Sequence, residues 1–284
     1  MRIEAVINKT SGSVPTDADE ALARATEKLG HTIKIRCADP SALQGEIVEA
    51  INARPDLLIM WGGDGSVAMA LTHSAEVNGP PVLPLQGGTM NLLHKSVHGE
   101  IGAWQEVLEK ALHCEIYRQF PVGHLGEHKF YVGFTVGRLS RLQIPREELR
   151  EGQVWSAVQD LVGNGALALD TRLEVEIEAV DGGRICQEIT SVGGLIKADD
   201  EKSHVEVGCI SAESGWELAK AGISATFDDW RNVQEIDYVK ARSLYVADPD
   251  GDELDATIDG EFVRLPAKVR LTIEPLGPKI LCAQ

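Results

Sequence analysis

The stretch Trp61-Gly62-Gly63-Asp64-Gly65-Ser66 constrains this chain more than any other. It follows a compact apolar run, Leu57-Leu58-Ile59-Met60, and precedes an alanine-rich segment, Val67 to Ala75, that reads as a helix. A strand, a glycine turn holding one carboxylate and a helix start bring free N–H groups and the positive end of a helix dipole to one point. That combination favours an anion such as phosphate. Glycine takes positive φ and lets backbone approach a ligand without steric cost. A plain polar turn between strand and helix has the same spelling, so the stretch carries weight only in company.

The company lies in the first 118 residues. Ile3 to Ile7 reads as a strand and runs into the loop Asn8-Lys9-Thr10-Ser11-Gly12-Ser13. A helix over Ala21 to Leu29 follows, with Thr16 as the expected N-cap and Gly30 as its stop. Thr32 to Arg36 is a second strand, and Asp39-Pro40 has the N-cap and first-turn chemistry to open a second helix. Asp56 to Trp61 and Val82 to Leu85 are further strands, the last ending on Gln86-Gly87-Gly88-Thr89, with helices expected from about Met90 and over Ile101 to Leu112. Strands alternating with helices at this spacing indicate βαβ units and a mostly parallel sheet. In such sheets ligands sit outside the carboxyl ends of strands, where the three polar glycine loops fall.

Beyond about Arg118 the pattern changes to short strands, several with period-two alternation, such as Leu173-Glu174-Val175-Glu176-Ile177. Asp181-Gly182 is a hairpin dipeptide. Helical stretches are expected over Arg146 to Val162 and Ala212 to Lys220. The reading is two domains. Residues 1–118 form a nucleotide-binding α/β domain with a mostly parallel sheet. Residues 119–284 form a mainly antiparallel β-sandwich, and the strand near 278–284 is a candidate to return to the first sheet.

Charge narrows the partners. Lys and Arg total 27 against 44 Asp and Glu, a net charge of −17. That opposes sequence-independent nucleic-acid binding and tight electrostatic attachment to anionic membranes. The five cysteines are scattered, with no Cys-x-x-Cys pair, which excludes a zinc framework and points to a reducing, cytoplasmic setting. No signal-peptide pattern and no bilayer-length apolar run is expected.

Two features look functional and read otherwise. Asp248-Pro-Asp250-Gly-Asp252-Glu253 resembles a calcium loop, but its glycine comes too early and no Glu closes it at position 12. A solvated hairpin turn is expected there. His94 and His98 can share a helix face but have no nearby metal-binding partner in sequence, so a surface or nucleotide-adjacent place is expected.

Taken together, Asn8-x-x-Ser11-Gly12, Gly62-Gly63-Asp64-Gly65-Ser66 and Pro84-x-x-x-Gly88-Thr89-x-Asn91 resemble the diacylglycerol kinase catalytic domain. That superfamily includes soluble bacterial lipid kinases, sphingosine kinases and, more distantly, NAD kinases. Ile258-Asp259-Gly260-Glu261 resembles the closing motif of its bacterial members. The resemblance implies transfer of the ATP γ-phosphoryl group to a lipid hydroxyl, diacylglycerol-like or sphingoid, with Mg²⁺, in a cleft between the domains. It implies nucleotide contacts at Asn8, Ser11, Gly12, Gly62, Gly63, Asp64, Gly65, Ser66, Gly88, Thr89 and Asn91, with Asp64 as the candidate metal ligand. It offers Asp259 and Glu261 as proton acceptors without choosing between them.

The chain departs from the family in four places. Ser66 replaces the usual Thr and keeps the hydroxyl. Leu92 stands where an Asp is usual. The segment Asp199 to Glu206 matches poorly the Asp-rich run that holds a structural Mg²⁺ in relatives. Cys37-Ala38-Asp39-Pro40 replaces a threonine-bearing loop. The partner expected is a lipid met transiently at a membrane surface, with no nucleic acid and with a homodimer left open. Arg138, Arg141, Arg146 and Arg150, interleaved with Leu139, Leu142 and Ile144, are the candidate membrane-facing segment, although Glu147, Glu148 and Glu151 offset much of their charge. The alternatives are an NAD kinase-like enzyme and a catalytically inactive nucleotide-binding regulator, the latter motivated by Leu92.

Overall fold

The computed structural model describes residues 1–100, 102–141, 172–197, 203–212, 231 and 236–283. They divide into two compact units, Met1–Val122 with Pro275–Gln284, and Gly123–Glu274.

The first unit alternates strand and helix: β1 (Arg2–Asn8), α1 (Ala18–Lys28), β2 (Thr32–Ala38), α2 (Leu43–Asn52), β3 (Leu57–Gly62), α3 (Asp64–Glu76), β4 (Val82–Gln86), α4 (Leu92–His98), α5 (Trp104–Cys114) and β5 (Ile116–Gln119). Its six-stranded sheet has the order β2-β1-β3-β4-β17-β5, where β17 is Lys279–Cys282. The strands from β2 to β17 pair in parallel, and β5 closes the edge antiparallel to β17. Every residue of β3 is buried, the mark of a central strand covered on both faces. Ile59, Trp61, Leu83 and Leu85 share one core cluster with Leu22 of α1 and Leu108 of α5.

Buried polar groups are tied between elements. Glu4 on β1 pairs with Arg36 on β2 at 2.9 Å, and Arg36 also reaches Glu46 at 3.0 Å and Glu49 at 2.7 Å on α2. Their carboxylates raise the guanidinium pKa against the opposing effect of burial.

Two helix starts differ from the sequence reading. Asp17, not Thr16, occupies the N-cap of α1. Asp39-Pro40 opens a turn closed by the Ala42 N–H on the Asp39 carbonyl, and α2 begins only at Leu43.

The second unit is antiparallel. Its strands are β6 (Val122–Leu125), β7 (His128–Phe130), β8 (Gly133–Gly137), β9 (Leu173–Ala179), β10 (Arg184–Ile189), β11 (Ser191–Lys197), β12 (His204–Ile210), β13 (Ile236–Ala247), β14 (Leu254–Ile258), β15 (Glu261–Leu265) and β16 (Lys268–Glu274). They form one hydrogen-bonded eleven-stranded network. The long β13 joins its parts. Its first half pairs with β12 and its second with β9 and β16, with a bulge between Ala241 and Ser243. Strand β9 alternates strictly between buried apolar and exposed acidic residues, so one face packs and the other meets water.

The Asp181-Gly182 turn joins the paired strands β9 and β10, as its sequence predicts. Asp248 to Glu253 is not a hairpin: β13 and β14, which it joins, are not neighbours in the sheet. Asp248 is buried, and its carboxylate accepts the N–H groups of Asp250 and Asp252. The acid that looked solvated is the internal tie of its own loop.

The helices expected over Arg146 to Val162 and beyond Ala212 lie outside the described residues, as do Asp199 to Lys202 and Leu142 to Arg150. No helix among the described residues is long and apolar enough to cross a membrane.

Candidate active site

Strand β1 lies between β2 and β3, so the chain leaves it in one direction and later returns on its other side. A parallel sheet opens a crevice at such a reversal, outside the carboxyl ends of the two strands. The loops after β1 and β3 flank that crevice and the loop after β4 lies next to it. The expected residues of the first unit are on these loops.

Hydrogen bonds knit the three loops together. Asn8, buried at the end of β1, donates through Nδ2 to Ser66 Oγ at 3.0 Å, and its Oδ1 accepts the Thr10 N–H and hydroxyl. The Ser11 hydroxyl accepts the Gly63 N–H at 3.3 Å. Ser13 donates its N–H to the Gly87 carbonyl and its hydroxyl to the Gly88 carbonyl. Ser66 is buried, and its oxygen faces protein.

Sterics explain most of the glycines. A Cβ on Gly88 would stand 2.7 Å from the Gly63 Cα, and one on Gly87 would stand 2.9 Å from the Gly62 Cα. Backbone meets backbone between the β3 and β4 loops, and a side chain there would force them apart. Gly65 differs, because its Cβ would point into open space. Gly12, Gly65 and Thr89 are the exposed members of the set.

Asn91 closes the third loop. It adopts left-handed backbone, φ 51°, which Asn tolerates better than most residues. Its Oδ1 accepts the Gly88 N–H at 2.8 Å and its Nδ2 donates to the Gly88 carbonyl at 2.9 Å.

Asp64 is the first residue of α3, yet its side chain serves another helix. Oδ2 accepts the Leu92 N–H at 3.1 Å and Oδ1 the Leu93 N–H at 2.8 Å. It satisfies two of the orphan donors at the start of α4 and places a negative charge at that helix's positive end. At α3 itself the first bonds run from Ser66 and Val67 to the Gly63 carbonyl. The Asp64 and Gly65 N–H groups are left without an intrahelical acceptor, beside the open side of Gly65. These are the donors a phosphate group fits.

A magnesium ion held by the protein alone does not fit. No three His, Cys, Asp or Glu side chains converge among the described residues. Both Asp64 oxygens already accept backbone N–H groups, and Leu92 brings no second carboxylate. The donor set fits an ion that arrives on nucleotide phosphates, with one carboxylate beside it.

Lys9 was absent from the sequence-derived set. Its exposed ammonium lies in the first loop, 3.4 Å from Asp19, and its pKa is raised by Cys37 and by that acid. Ser13 was also missed, since one more serine in a polar loop carries no distinguishing signal.

His94 and His98 are buried, which overturns the surface half of the surface or nucleotide-adjacent expectation, with ring centres 4.8 Å apart. His98 Nε2 lies 3.0 Å from the Pro84 carbonyl, and its Nδ1 accepts the Ala283 N–H at 3.1 Å. The carbonyl needs a donor and the amide needs an acceptor, so the ring is the neutral Nε2–H tautomer. It ties α4 to β4 and to the residue after β17. Burial first, and His94 second, push its pKa down to about 3.

In the second unit, Asp259 and Gly260 form the two-residue loop between β14 and β15, with Ile258 opposite Glu261. Both have positive φ, 46° and 87°, the pattern of a type I′ hairpin turn. The Asp259 carboxylate accepts three backbone N–H groups, from Tyr131 at 2.8 Å and from Val132 and Gly133 at 2.9 Å. Its own N–H donates to the Gly133 carbonyl at 2.9 Å. Glu261 is exposed at the start of the edge strand β15, and its carboxylate has no hydrogen-bond or ion-pair partner among the described residues.

Residues 2–120 match the family model of the diacylglycerol kinase catalytic domain. The fold is similar to that of a diacylglycerol kinase from Bacillus anthracis str. Sterne, at 16% identity and a TM-score of 0.64, over 99% of this chain and 96% of that one. A second structure from the same organism, provisionally described as a diacylglycerol kinase, aligns over the same shares at 16% identity with a TM-score of 0.68. At such identity the likeness establishes the fold. Among curated proteins none matches.

Proposed function

We propose that this chain, whose residues 2–120 match the diacylglycerol kinase catalytic domain, transfers the γ-phosphoryl group of ATP to a lipid hydroxyl. The observation that carries the reading is the set of three cross-linked loops at neighbouring strand ends, with the Asp64 and Gly65 amides free of intrahelical acceptors and open space where a Gly65 side chain would stand.

Phosphoryl transfer depends mainly on positioning and charge stabilisation. In this reading the α3 amides and helix dipole hold the nucleotide phosphates, and Lys9 adds a positive charge at the same loops. Magnesium, when the nucleotide brings it, neutralises phosphate charge. Ser11, Ser13 and Asn8 hold the amides in place through the bonds described above. The acceptor hydroxyl oxygen bonds to the γ-phosphorus, the bond to the bridging oxygen breaks, and ADP leaves. The hydroxyl proton goes to a carboxylate. Glu261 is the candidate, because its oxygens have no competing donor among the described residues. The acceptor is a diacylglycerol-like or sphingoid lipid met at a membrane surface.

The test is transfer from γ-labelled ATP into a total lipid extract, with identification of the labelled product. A labelled phospholipid is expected. Replacing Glu261 by Gln should lower turnover by about 10²–10⁴-fold, the usual contribution of a general base. Conversion of NAD to NADP without lipid labelling would move the assignment to an NAD kinase-like enzyme. ATP binding with no transfer to either would identify an inactive regulator.

A further inference from the structure

The closing motif offers two carboxylates, and the structure uses them differently. We infer that Asp259 is a positioning residue that fixes the Glu261 hairpin by binding the backbone of the β7–β8 connection, and that it does not take the proton. The inference rests on the phosphoryl-transfer reading above and deepens it.

The first argument is occupancy. A carboxylate has about four lone-pair directions. Three of those on Asp259 are filled by the N–H groups of Tyr131, Val132 and Gly133. At most one direction is left for an incoming proton, on a carboxylate that three backbone donors hold in place. The second argument is conformation. At φ 46° Asp259 occupies a position that suits Gly, Asn or Asp, and the turn sets the register Ile258 opposite Glu261. The third is reciprocity. The Asp259 N–H returns a bond to the Gly133 carbonyl, so the tip of the hairpin and the entry to β8 grip each other from both sides. Strand β14 also pairs with β8, through Ile258 opposite Phe134, so the clamp continues the ladder past its last residue pair. Glu261 follows two residues after Asp259, across the turn. Loosening the clamp frees the strand end that carries Glu261, on an edge with no outer neighbour among the described strands.

Two substitutions separate positioning from proton transfer. Both Val132 and Gly133 donate to Oδ1, while Tyr131 donates to Oδ2. Asp259→Asn thus keeps an oxygen for two of the three donors and tolerates the turn, yet is not a base. Asp259→Gly also tolerates positive φ and removes every acceptor. With γ-labelled ATP and vesicles containing diacylglycerol, Asp259→Asn should retain activity within about tenfold of wild type and keep the acidic limb of the kcat/KM pH profile. Asp259→Gly should lose about a hundredfold, and Glu261→Gln should lose the limb itself, magnitudes in the range of general-base and misplacement effects.

Amide hydrogen exchange gives a readout without catalysis. Tyr131, Val132 and Gly133 should lose protection in Asp259→Gly, keep it at Val132 and Gly133 in Asp259→Asn, and keep it throughout in Glu261→Gln. Equal inactivity of the Asn and Gly variants beside an active wild type would overturn the positioning role, as would unchanged protection in Asp259→Gly. A wild-type chain that labels no lipid overturns the parent reading, and this inference with it.

Discussion

At the residue scale, the glycines of one motif separate into two kinds by what a methyl group would meet. Gly88 abuts Gly63 backbone, so Gly88→Ala must push two loops apart. Gly65 faces open space at the second position of α3, where Ala is a better helix former by about 1 kcal/mol. The expected outcome is a dissociation. Gly88→Ala should lower the thermal midpoint and weaken ATP binding together. Gly65→Ala should melt at or slightly above the wild-type midpoint while weakening ATP binding at least tenfold, because its methyl group would occupy the space that the proposed reading gives to phosphate. Calorimetric titration with ATP and a thermal melt on both variants check this; unchanged affinity in Gly65→Ala would remove that turn from the nucleotide site. The sequence made the position of this turn legible, through an apolar strand, three glycines and a helix start. It could not show which glycines face protein, because Gly87 and Gly88 reach the turn only through the fold. The two aspartates show the same limit. Each looks like a free acid in a Gly-rich motif, yet Asp64 is spent on amides 28 and 29 residues away and Asp259 on amides 126 to 128 away. No local spacing rule reaches that far.

At the scale of elements, the parallel sheet was legible because each βαβ unit is written in consecutive residues, and the antiparallel region because β9 alternates with period two. Helix α4 was not. It has seven residues, too few to be stable through propensity alone, and depends on ties to its surroundings. Asp64 caps its start, and His98 near its end binds the Pro84 carbonyl and the Ala283 N–H. That second tie requires a neutral imidazole, since a protonated ring would turn a second donor toward the Ala283 N–H. An unfolded histidine titrates near 6.5, whereas His98 in the fold does so at about 3. Between these values the unfolded chain binds one more proton, so His98 lowers stability as pH falls through that window. The slope is about 1.4 kcal/mol per pH unit, and the contribution is flat above 6.5. His98→Gln keeps an amide donor and a carbonyl acceptor without titrating. Denaturant melts of both proteins between pH 7 and pH 4 should show a shallower loss for the variant. Parallel curves would mean that His98 does not report this linkage.

At the scale of the whole molecule, charge sets the terms on which the proposed lipid substrate would be met. The chain carries −17, so long-range electrostatics oppose its approach to an anionic bilayer. The basic segment containing Arg138 and Arg141 would act in the opposite sense if it governed docking. Salt separates the two, because the Debye length falls from about 10 Å at 0.1 M to about 3 Å at 1 M. If the overall charge dominates, screening removes repulsion, and lipid phosphorylation on anionic vesicles should rise severalfold with salt. On vesicles of zwitterionic lipid with the same diacylglycerol content, the rate should change little. If the arginine segment dominates, salt should depress the anionic rate, and an Arg138→Glu, Arg141→Glu double variant should depress it further at low salt. The charge balance favours the first outcome: 44 acids against 27 bases leave little of the surface for a basic patch to command, and Glu147, Glu148 and Glu151 follow that segment directly. A rate on anionic vesicles that falls with salt would reverse this assignment and make the segment the docking site.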